Sequence, residues 1–415
     1  MLTTPYRRFI TASGLVNLAD GVAVVAWAWL ASLLTRDPLL VALVPVALRL
    51  PWFLCAVPAG IITDRTDRRL LILRADIFRG LIFAAVGLVL FAALPLPAPT
   101  QSGVSDPMIF GLILGAAALV GGAEVFRDNA AQTMLPAIVP DADLETANGR
   151  LWSVELVGNA LLGPALGAFL IAHAVFAPFA LNAVAYVLAF LFLLPLRGHY
   201  RPKVNIEGRW QAEMMEGVNF LRASPVLLTL AWITGLWNFL NEMVLVALVL
   251  HVQENLFLGA QAYGMILAAG AVGGILGGWY GDRVVARLGP LRSLQWMLVA
   301  GAPAFLAIAL APGAVSLAVI LMVFSSTGLV WNTVSVSYRQ RMIPDVLLGR
   351  VNSLYRLFAW GMMPVGLMLS GMIVHLADGF VSRNSALVAP FLVAALGSVF
   401  LGGIGWRALA RHWRE

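Results

Sequence analysis

Charge is scarce in this sequence. Only 12% of its 415 residues are Asp, Glu, Lys or Arg, whereas 60% are hydrophobic. A soluble domain carries about 25% charged residues. The chain also contains repeated apolar runs of about 20 residues or more, which is the length that crosses the hydrocarbon core of a bilayer. This composition excludes an ordinary soluble domain and predicts an integral membrane protein.

Several kinds of chemistry lack the residues they need. Cys55 is the single cysteine and lies inside an apolar run, so no intrachain disulfide can form. Lys203 is the single lysine, and no Gly-x-x-x-x-Gly-Lys-Ser/Thr loop is present, which excludes direct use of ATP. The five histidines are not clustered, and no catalytic pair or dyad stands at facing depths. We therefore expect no metal site, no cofactor and no enzymatic activity.

The apolar runs predict the topology. The first run begins near Phe9 without a cleavage pattern before Arg36, so we expect it to remain as a membrane helix and not as a signal peptide. The predicted spans are 9–34, 39–62, 70–95, 107–138, 148–173 and 178–196, followed by 225–251, 259–281, 290–312, 314–337, 352–376 and 385–407. These are twelve helices, six on each side of a polar link.

Arginines concentrate in alternate loops, as the positive-inside rule predicts for a plasma membrane. The net charge of +6 and the pI near 10.0 therefore reflect membrane topology, and we expect no nucleic-acid partner. Most basic residues precede helix 1, follow helices 2, 6, 8 and 10, or end the chain, whereas the opposite loops carry only Arg36 and Arg383. This pattern predicts a bacterial inner-membrane protein with cytoplasmic N and C termini.

The polar link divides the chain into three predicted parts. These are an N-terminal six-helix bundle (1–196), a cytoplasmic linker (197–224) and a C-terminal six-helix bundle (225–415). Within the linker, Glu207 to Leu221 has the apolar and polar faces of a helix lying on the inner leaflet, and a plain linker is the alternative.

The two halves share local patterns. Gly60 and Asp64, followed by arginines, lie at the end of helix 2, and Gly278 and Asp282 repeat that spacing at the end of helix 8. The tripeptides Val-Pro-Asp at 139–141 and Ile-Pro-Asp at 343–345 open the loops after helices 4 and 10. Two related six-helix halves around a central site are typical of secondary transporters.

These residues resemble motifs of a known superfamily. The segment Gly-Ile-Ile-Thr-Asp-Arg-Thr-Asp-Arg-Arg at 60–69 resembles motif A of the major facilitator superfamily, and Gly158, Gly163, Pro164 and Gly167 resemble its antiporter motif C. The segments 125–136 and 342–351 resemble the branch of enterobactin-type siderophore exporters and macrolide or multidrug efflux pumps. The resemblance implies an all-α fold of twelve transmembrane helices in two six-helix bundles with pseudo-two-fold symmetry.

The resemblance also implies a gate. In the superfamily, the Asp and Arg of motif A join an acid at the end of helix 4, which corresponds here to Asp64, Arg68 and Asp128. Arg65 belongs to the same turn, and Arg356 is expected to approach Asp64, with snorkelling to the interface as the alternative. The second copy consists of Gly278, Asp282 and Arg283 and lacks most of the basic run that follows motif A. We therefore do not expect it to form an equivalent second gate.

Ionisable residues inside the spans predict a coupling site, because a charge at helix centre normally faces a partner or a cavity. Asp20 and Arg49 lie roughly 17 and 15 Å deep on consecutive helices. We expect them to pair, either as a proton-sensitive or as a permanent structural pair. Glu124 and Glu242 are further candidates for proton coupling, with a structural role as the alternative for each. Asp76 and Arg79 are expected to pair with each other on one helix face.

Polar and aromatic residues predict a binding cavity. Helix 7 lines the cavity in the superfamily, and it carries Glu242 within a turn of other polar groups here. The cavity candidates are Trp27, Trp237, Asn238, Asn241, Trp331, Asn332 and Trp360. Aromatic faces accept cations, whereas ordinary helix packing or an interfacial belt is the alternative for each aromatic residue.

Together these observations predict a monomeric secondary transporter that exports amphipathic small molecules such as drugs, antibiotics or siderophores. Intramembrane acids favour proton antiport with alternating access, and the sequence leaves sodium open. The expected partners are the small-molecule substrate, protons and membrane lipid. The alternative is an importer or a lysophospholipid transporter of the same superfamily, against which the Gly-Pro motif of helix 5 argues mildly.

Overall fold

Apolar helices account for nearly all of the chain in the computed structural model, which describes residues 4–140, 144–196, 198, 200 and 210–413. Eleven helical segments in these ranges are long and apolar enough to cross a membrane. A twelfth apolar helix, Ala177–Leu193, has 17 residues, which is at the lower end of the length needed. The predicted all-α membrane fold class is confirmed.

The helices follow one another through short connections. They are α1 (Thr4–Leu34), α2 (Pro38–Arg65), α3 (Arg68–Ala92), α4 (Pro107–Ile138), α5 (Leu144–Glu155), α6 (Gly163–His173), α7 (Ala177–Leu193), α8 (Trp210–Ala223), α9 (Pro225–Leu250), α10 (Ala260–Leu288), α11 (Pro290–Val299), α12 (Gly301–Ala309), α13 (Ala314–Met342), α14 (Asp345–Gly361), α15 (Met363–Ala377) and α16 (Arg383–His412). Two π-helical segments, π1 (Leu156–Leu162) and π2 (His251–Asn255), interrupt the regular pitch.

The chain forms two compact units. One contains Met1–Val204 and Leu258–Ala268, and the other contains Asn205–Phe257 and Ala269–Glu415. The first boundary falls inside the predicted link, and α8 begins within that link at Trp210. The start of α10 clusters with the first unit. The division into bundles at 1–196 and 225–415 stays a prediction.

In the first unit, α1 packs against α7 and against the α5–π1–α6 span, while α4 packs against α2 and α3. Aspartates are the N-cap residues of three of these helices. Asp37, Asp67 and Asp106 accept hydrogen bonds from first-turn amides of α2, α3 and α4 at 3.0 Å. These caps satisfy N–H groups that have no partner inside the helix.

The loop between α3 and α4 is tied to the hairpin between α1 and α2. The amide of Arg36 donates to the Thr100 carbonyl at 2.7 Å, and the amide of Ser105 donates to the Leu34 carbonyl at 2.9 Å. The Thr35 hydroxyl donates to the Gly103 carbonyl at 2.6 Å. We call this group of contacts, over residues 34–36 and 100–105, the loop tie. It joins the end of α1 and the start of α2 to the segment that precedes α4, on the side opposite Thr4.

In the second unit, α9 is central and packs against α14, α15 and α16. Small residues allow close approach between helices in both units. A Cβ atom at Gly121 would overlap the Leu48 carbonyl oxygen of α2, and one at Gly273 would overlap the Met322 carbonyl oxygen of α13. A Cβ atom on the neighbouring glycines, Gly122 or Gly274, would have no atom of the described residues within 4 Å. Close backbone approach of this kind is typical of membrane helix packing.

These neighbouring glycines form matched pairs for mutation. We expect Gly121→Ala and Gly273→Ala to destabilise the protein by about 1–3 kcal/mol, because the added methyl group forces helices apart. Gly122→Ala and Gly274→Ala should be neutral. Thermal unfolding of the four purified variants in detergent checks this, and equal melting temperatures within each pair would contradict the described packing.

Candidate functional site

A buried cluster of charged side chains lies in the first unit, where α1, α3 and α4 meet. The side chain of Arg79 on α3 is only 1% exposed. It forms an ion pair and hydrogen bond with Asp20 of α1, and its Nη2 lies 3.7 Å from Glu124 of α4. One guanidinium therefore lies between two carboxylates that are 15% and 17% exposed.

A second ion pair adjoins the first along α3 and α4. The Nε of Arg127 donates to Asp76 Oδ1 at 3.2 Å, and both side chains are buried. Arg127 Nη1 also lies 3.6 Å from Asp128, which is more exposed. Arg79 lies on α3 and pairs with acids of α1 and α4. Arg127 lies on α4 and pairs with Asp76 of α3 and with its own neighbour, Asp128. We call Asp20, Asp76, Arg79, Glu124, Arg127 and Asp128 the charge network.

The network contains more acids than arginines. It has four carboxyl groups and two guanidinium groups, and Arg49 of α2 adds one positive charge within electrostatic range of Glu124. Uncompensated charge in a low-dielectric interior is costly. The arrangement can therefore accept protons or a cation, and one arginine can exchange its pairing between Asp20 and Glu124.

The pairings differ from those expected from depth and helix spacing. The predicted Asp20–Arg49 pair is wrong, because Asp20 pairs with Arg79. The predicted Asp76–Arg79 pair is also wrong, since Asp76 pairs with Arg127. Arg49 and Arg79 each lie near the middle of their helices, so depth alone could not choose between them. The choice depends on which helices pack together.

Sequence reasoning missed Tyr186 of α7. Its hydroxyl donates to Asp20 Oδ1 at 2.6 Å, and the Arg79 guanidinium lies over its ring at 4.5 Å from the centroid. A single tyrosine in an apolar run carries no pattern that distinguishes it from an interfacial or packing residue. The contact between α1 and α7 identifies it, and that contact is not readable from spacing.

The motif C residues bring the α5–π1–α6 span against α1 next to Asp20. A Cβ at Gly163 would lie 2.5 Å from Gly21 Cα, and one at Gly167 would lie 2.6 Å from the Val22 carbonyl oxygen. Gly158 lies in π1, and a Cβ there would lie 3.0 Å from the Leu18 amide. Pro164 occupies the first turn of α6, where proline is tolerated. π segments frequently occur at functional sites. The contact of π1 and α6 with α1 beside Asp20 therefore supports a functional role for this part of α1.

The motif A turn connects α2 to α3 and contacts the ends of other helices. Arg68 Nη1 donates to the Thr133 carbonyl of α4 at 2.7 Å, and Arg69 Nη2 donates to the Leu194 carbonyl after α7 at 2.5 Å. Arginines placed here satisfy carbonyl groups at helix ends. Arg65 is exposed, and among the described residues no atom would lie within 4 Å of a Cβ on Gly60.

The Asp67 carboxylate accepts a hydrogen bond from the Tyr200 amide at 3.3 Å, so the turn also holds the segment after α7. Burial raises the pKa of the Tyr200 phenol, while the nearby Arg69 charge opposes that shift. This segment is where the polar link begins.

The predicted gate cluster is described only in part. The side chain of Asp64 lies outside the described residues, so its contacts with Arg68, Asp128 or Arg356 stay predictions. Asp128 pairs with Arg127, and Arg356 lies over the Trp360 ring at 5.3 Å from its centroid. In the second copy, Gly278, Asp282 and Arg283 are exposed, and Arg283 lies 5.2 Å from the centroid of the Trp279 ring.

The polar candidates of the second unit lie on α9. Asn238 is buried and donates to the Ala359 carbonyl of α14 at 2.8 Å, whereas Asn241 and Glu242 are half-buried. Trp237 stacks on Phe324 of α13 with ring centroids 5.6 Å apart. Asn238 therefore holds α9 to α14, and its two half-buried polar neighbours stay candidates for ligand contact.

The remaining aromatic candidates differ in environment. The Trp331 indole donates to the Thr234 hydroxyl at 3.3 Å and is buried, Trp360 is half-buried and Asn332 is exposed. Trp27 is 1% exposed and packs between the rings of Phe83 and Phe179. Its assignment to the cavity is wrong, because it belongs to the interior of the first unit. Within the described residues, no three His, Cys, Asp or Glu side chains form a metal-ligand group.

The apolar helices define a multi-pass membrane protein, and charged side chains buried between such helices are typical of transport pathways. The sequence model of the family described as transmembrane secretion effector matches residues 2–402, and the chain belongs to this family of the major facilitator superfamily. Members of that superfamily are transporters and not enzymes, as expected above.

Similar proteins agree with this membership. The chain is 26% identical to the multidrug efflux pump Tap of Mycolicibacterium fortuitum, over 96% of this chain and 95% of the relative. It is also 26% identical to the multidrug efflux pump Tap of Mycobacterium tuberculosis (strain ATCC 25618 / H37Rv), over 96% and 93% of the two chains.

Solved structures share the fold at low identity. The nucleoside transporter NupG has a TM-score of 0.73 and 13% identity, with 99% of this chain and 100% of that chain covered. A bacterial homologue of the iron transporter ferroportin in an inward-facing state has a TM-score of 0.70 and 16% identity, covering 95% and 98%. The predicted twelve-helix fold is confirmed.

The buried ion pairs predict a stability difference. We expect Arg127→Gln to destabilise the protein by about 3–5 kcal/mol, because it leaves the buried Asp76 carboxylate without its counter-charge. Removing both charges, in Asp76→Asn/Arg127→Gln, should recover part of the loss. Arg283→Gln, at an exposed arginine, is the matched control. Thermal unfolding in detergent measures all three, and a double variant less stable than Arg127→Gln would contradict this account.

Proposed function

We propose that this protein exports amphipathic small molecules across the bacterial plasma membrane by proton antiport and alternating access. Family membership over residues 2–402 supports transport, and the two relatives described as multidrug efflux pumps support export of drugs or antibiotics. The antiporter motif at Gly158, Gly163, Pro164 and Gly167 agrees with export. Siderophores belong to the same proposed range of substrates.

The observation that carries proton coupling is the unequal charge of the network. Asp20 and Glu124 share Arg79, and both retain some exposure. When a proton neutralises Asp20, the attraction that holds Arg79 to it weakens, and Glu124 at 3.7 Å becomes the nearest charged acid. Proton binding thus changes which helices the arginine joins. Arg49 biases Glu124 electrostatically, and Glu242 remains a second proton-carrying candidate on α9.

Substrate contacts are proposed for the half-buried groups of the second unit. Asn241, Trp237 and Trp360 combine polar atoms with aromatic faces, and Trp331, Asn332 and Asn238 extend this set. Aromatic faces accept cations and flat apolar molecules without strict directionality. We further propose that Asp64, Arg68, Asp128 and Arg356 contribute to the cytoplasmic gate and that the transporter acts as a monomer.

Neutralising Asp20 or Glu124 should uncouple transport from the pH gradient. We expect Asp20→Asn and Glu124→Gln to lose at least tenfold in ethidium export driven by an imposed pH gradient in proteoliposomes, because each removes a group that alternates between charged and neutral forms. Glu216→Gln, at an exposed acid on α8, is the control. Fluorescence of vesicle-enclosed ethidium measures export, and unchanged gradient-driven rates in both variants would overturn the coupling assignment.

Export itself is tested separately in cells. Cells that express the protein should tolerate higher concentrations of ethidium, a macrolide or tetracycline than vector controls. Equal susceptibility to all three, together with accumulation of any of them in expressing cells, would favour the importer alternative.

The orientation follows from the positions of the arginines and is tested by labelling. In a Cys55→Ser background, Ser102→Cys in the loop tie should react with a membrane-impermeant maleimide added to intact cells, because we place that loop outside. Arg411→Cys near the C terminus should react only after the membrane is permeabilised. The reverse labelling pattern would place both termini outside.

A further inference from the structure

Tyr186 contacts both partners of the central ion pair. Its hydroxyl donates a hydrogen bond to Asp20 Oδ1 at 2.6 Å. Its ring lies under the Arg79 guanidinium at 4.5 Å. The Nε and Nη1 atoms of Arg79 are buried and make no hydrogen bond to the described residues. The aromatic face therefore offers the guanidinium a contact that hydrogen bonds do not supply.

Neighbouring residues hold Tyr186 in place. The ring stacks on Phe83 with centroids 5.5 Å apart and an interplanar angle of 18°. Gly80, next to Arg79 on α3, lets α7 come close, since a Cβ there would lie 3.3 Å from the tyrosine Cβ. One turn earlier on α7, Asn182 donates to the Ala19 carbonyl at 2.9 Å. Consecutive residues of α1, Ala19 and Asp20, are thus held by the same face of α7.

We propose that Tyr186 is a positioning residue of the coupling site, which holds Asp20 in its charged form and keeps Arg79 on Asp20. This inference rests on the proposed proton antiport. The hydroxyl favours the charged carboxylate because it donates to it. The ring supports the guanidinium in the position where it hydrogen-bonds to Asp20. Tyr186 therefore determines how readily a proton replaces Arg79 as the partner of Asp20.

Other charged groups also act on Asp20. Arg79 is in direct contact, and Glu124, Arg127 and Asp128 of α4 and Asp76 of α3 interact with it electrostatically. Arg49 of α2 reaches the same group through Glu124. Removing the tyrosine hydroxyl leaves every one of these charged residues in the protein. A Tyr186→Phe variant isolates one hydrogen bond while keeping the ring contacts with Phe83 and Arg79.

The test is an infrared titration of the carboxylic acid band of the purified protein in lipid nanodiscs. The contribution of Asp20 is identified by its loss in Asp20→Asn. We expect Tyr186→Phe to move the midpoint of this band to higher pH, equivalent to about tenfold tighter proton binding, because the lost hydrogen bond stabilised the charged form. The matched control is Tyr6→Phe, which removes a buried hydroxyl that donates to the Ala147 carbonyl at 3.1 Å.

The outcomes separate a positioning role from a structural one. Tyr186→Gln keeps an N–H donor and should move the midpoint less than Tyr186→Phe, and it also serves if the phenylalanine variant does not fold. Identical Asp20 bands in the wild type and in the Tyr186 variants, or an equal shift in Tyr6→Phe, would overturn the inference. The titration needs no substrate, so a shifted midpoint combined with transport that ignores the pH gradient would reject proton antiport and leave the positioning contact in place.

Discussion

The arrangement of the first unit depends on the need to neutralise arginines in an apolar interior. Arg79 is almost fully buried at the middle of a membrane helix, and leaving such a charge without partners would cost several kcal/mol. Its partners lie on three other helices, namely Asp20 on α1, Glu124 on α4 and Tyr186 on α7. The requirement for counter-charges therefore selects which helices meet. The same requirement makes the helix contacts sensitive to protonation, because each lost negative charge weakens an ion pair that joins two helices.

Much of the fold is readable from the sequence because the bilayer imposes simple rules. Run length predicts the spans, and the positions of arginines between the runs predict alternating topology. The sequence does not predict where the regular α-helical pitch is interrupted. The π segments at Leu156–Leu162 and His251–Asn255 arise from local hydrogen-bond geometry and leave no signal in hydropathy. Motif C, which runs from the first of these segments into α6, is recognisable in the sequence, whereas its contact with Gly21 and Val22 is visible only in the packed structure.

The site was predictable by residue type and only partly by pairing. Asp20 and Glu124 stood out because acids are rare within apolar runs, and the structure places both beside the same guanidinium. Helical spacing predicts a pair between Asp76 and Arg79, since residues three apart share a face. A longer-range contact with Arg127 competes with that local pair, because α3 and α4 pack along their length. Trp27 shows that residue type alone does not predict location, since a tryptophan suited to a cavity is equally suited to fill a helix interface.

The loop tie limits how the first unit can move. Backbone hydrogen bonds join residues 34–36, between α1 and α2, to residues 100–105, which precede α4, and backbone bonds do not respond to protonation. These contacts therefore hold the two connections together whichever acid Arg79 pairs with. The charge network lies farther along the same helices, so a change of partner at Arg79 acts on α1 and α4 at a distance from the loop tie.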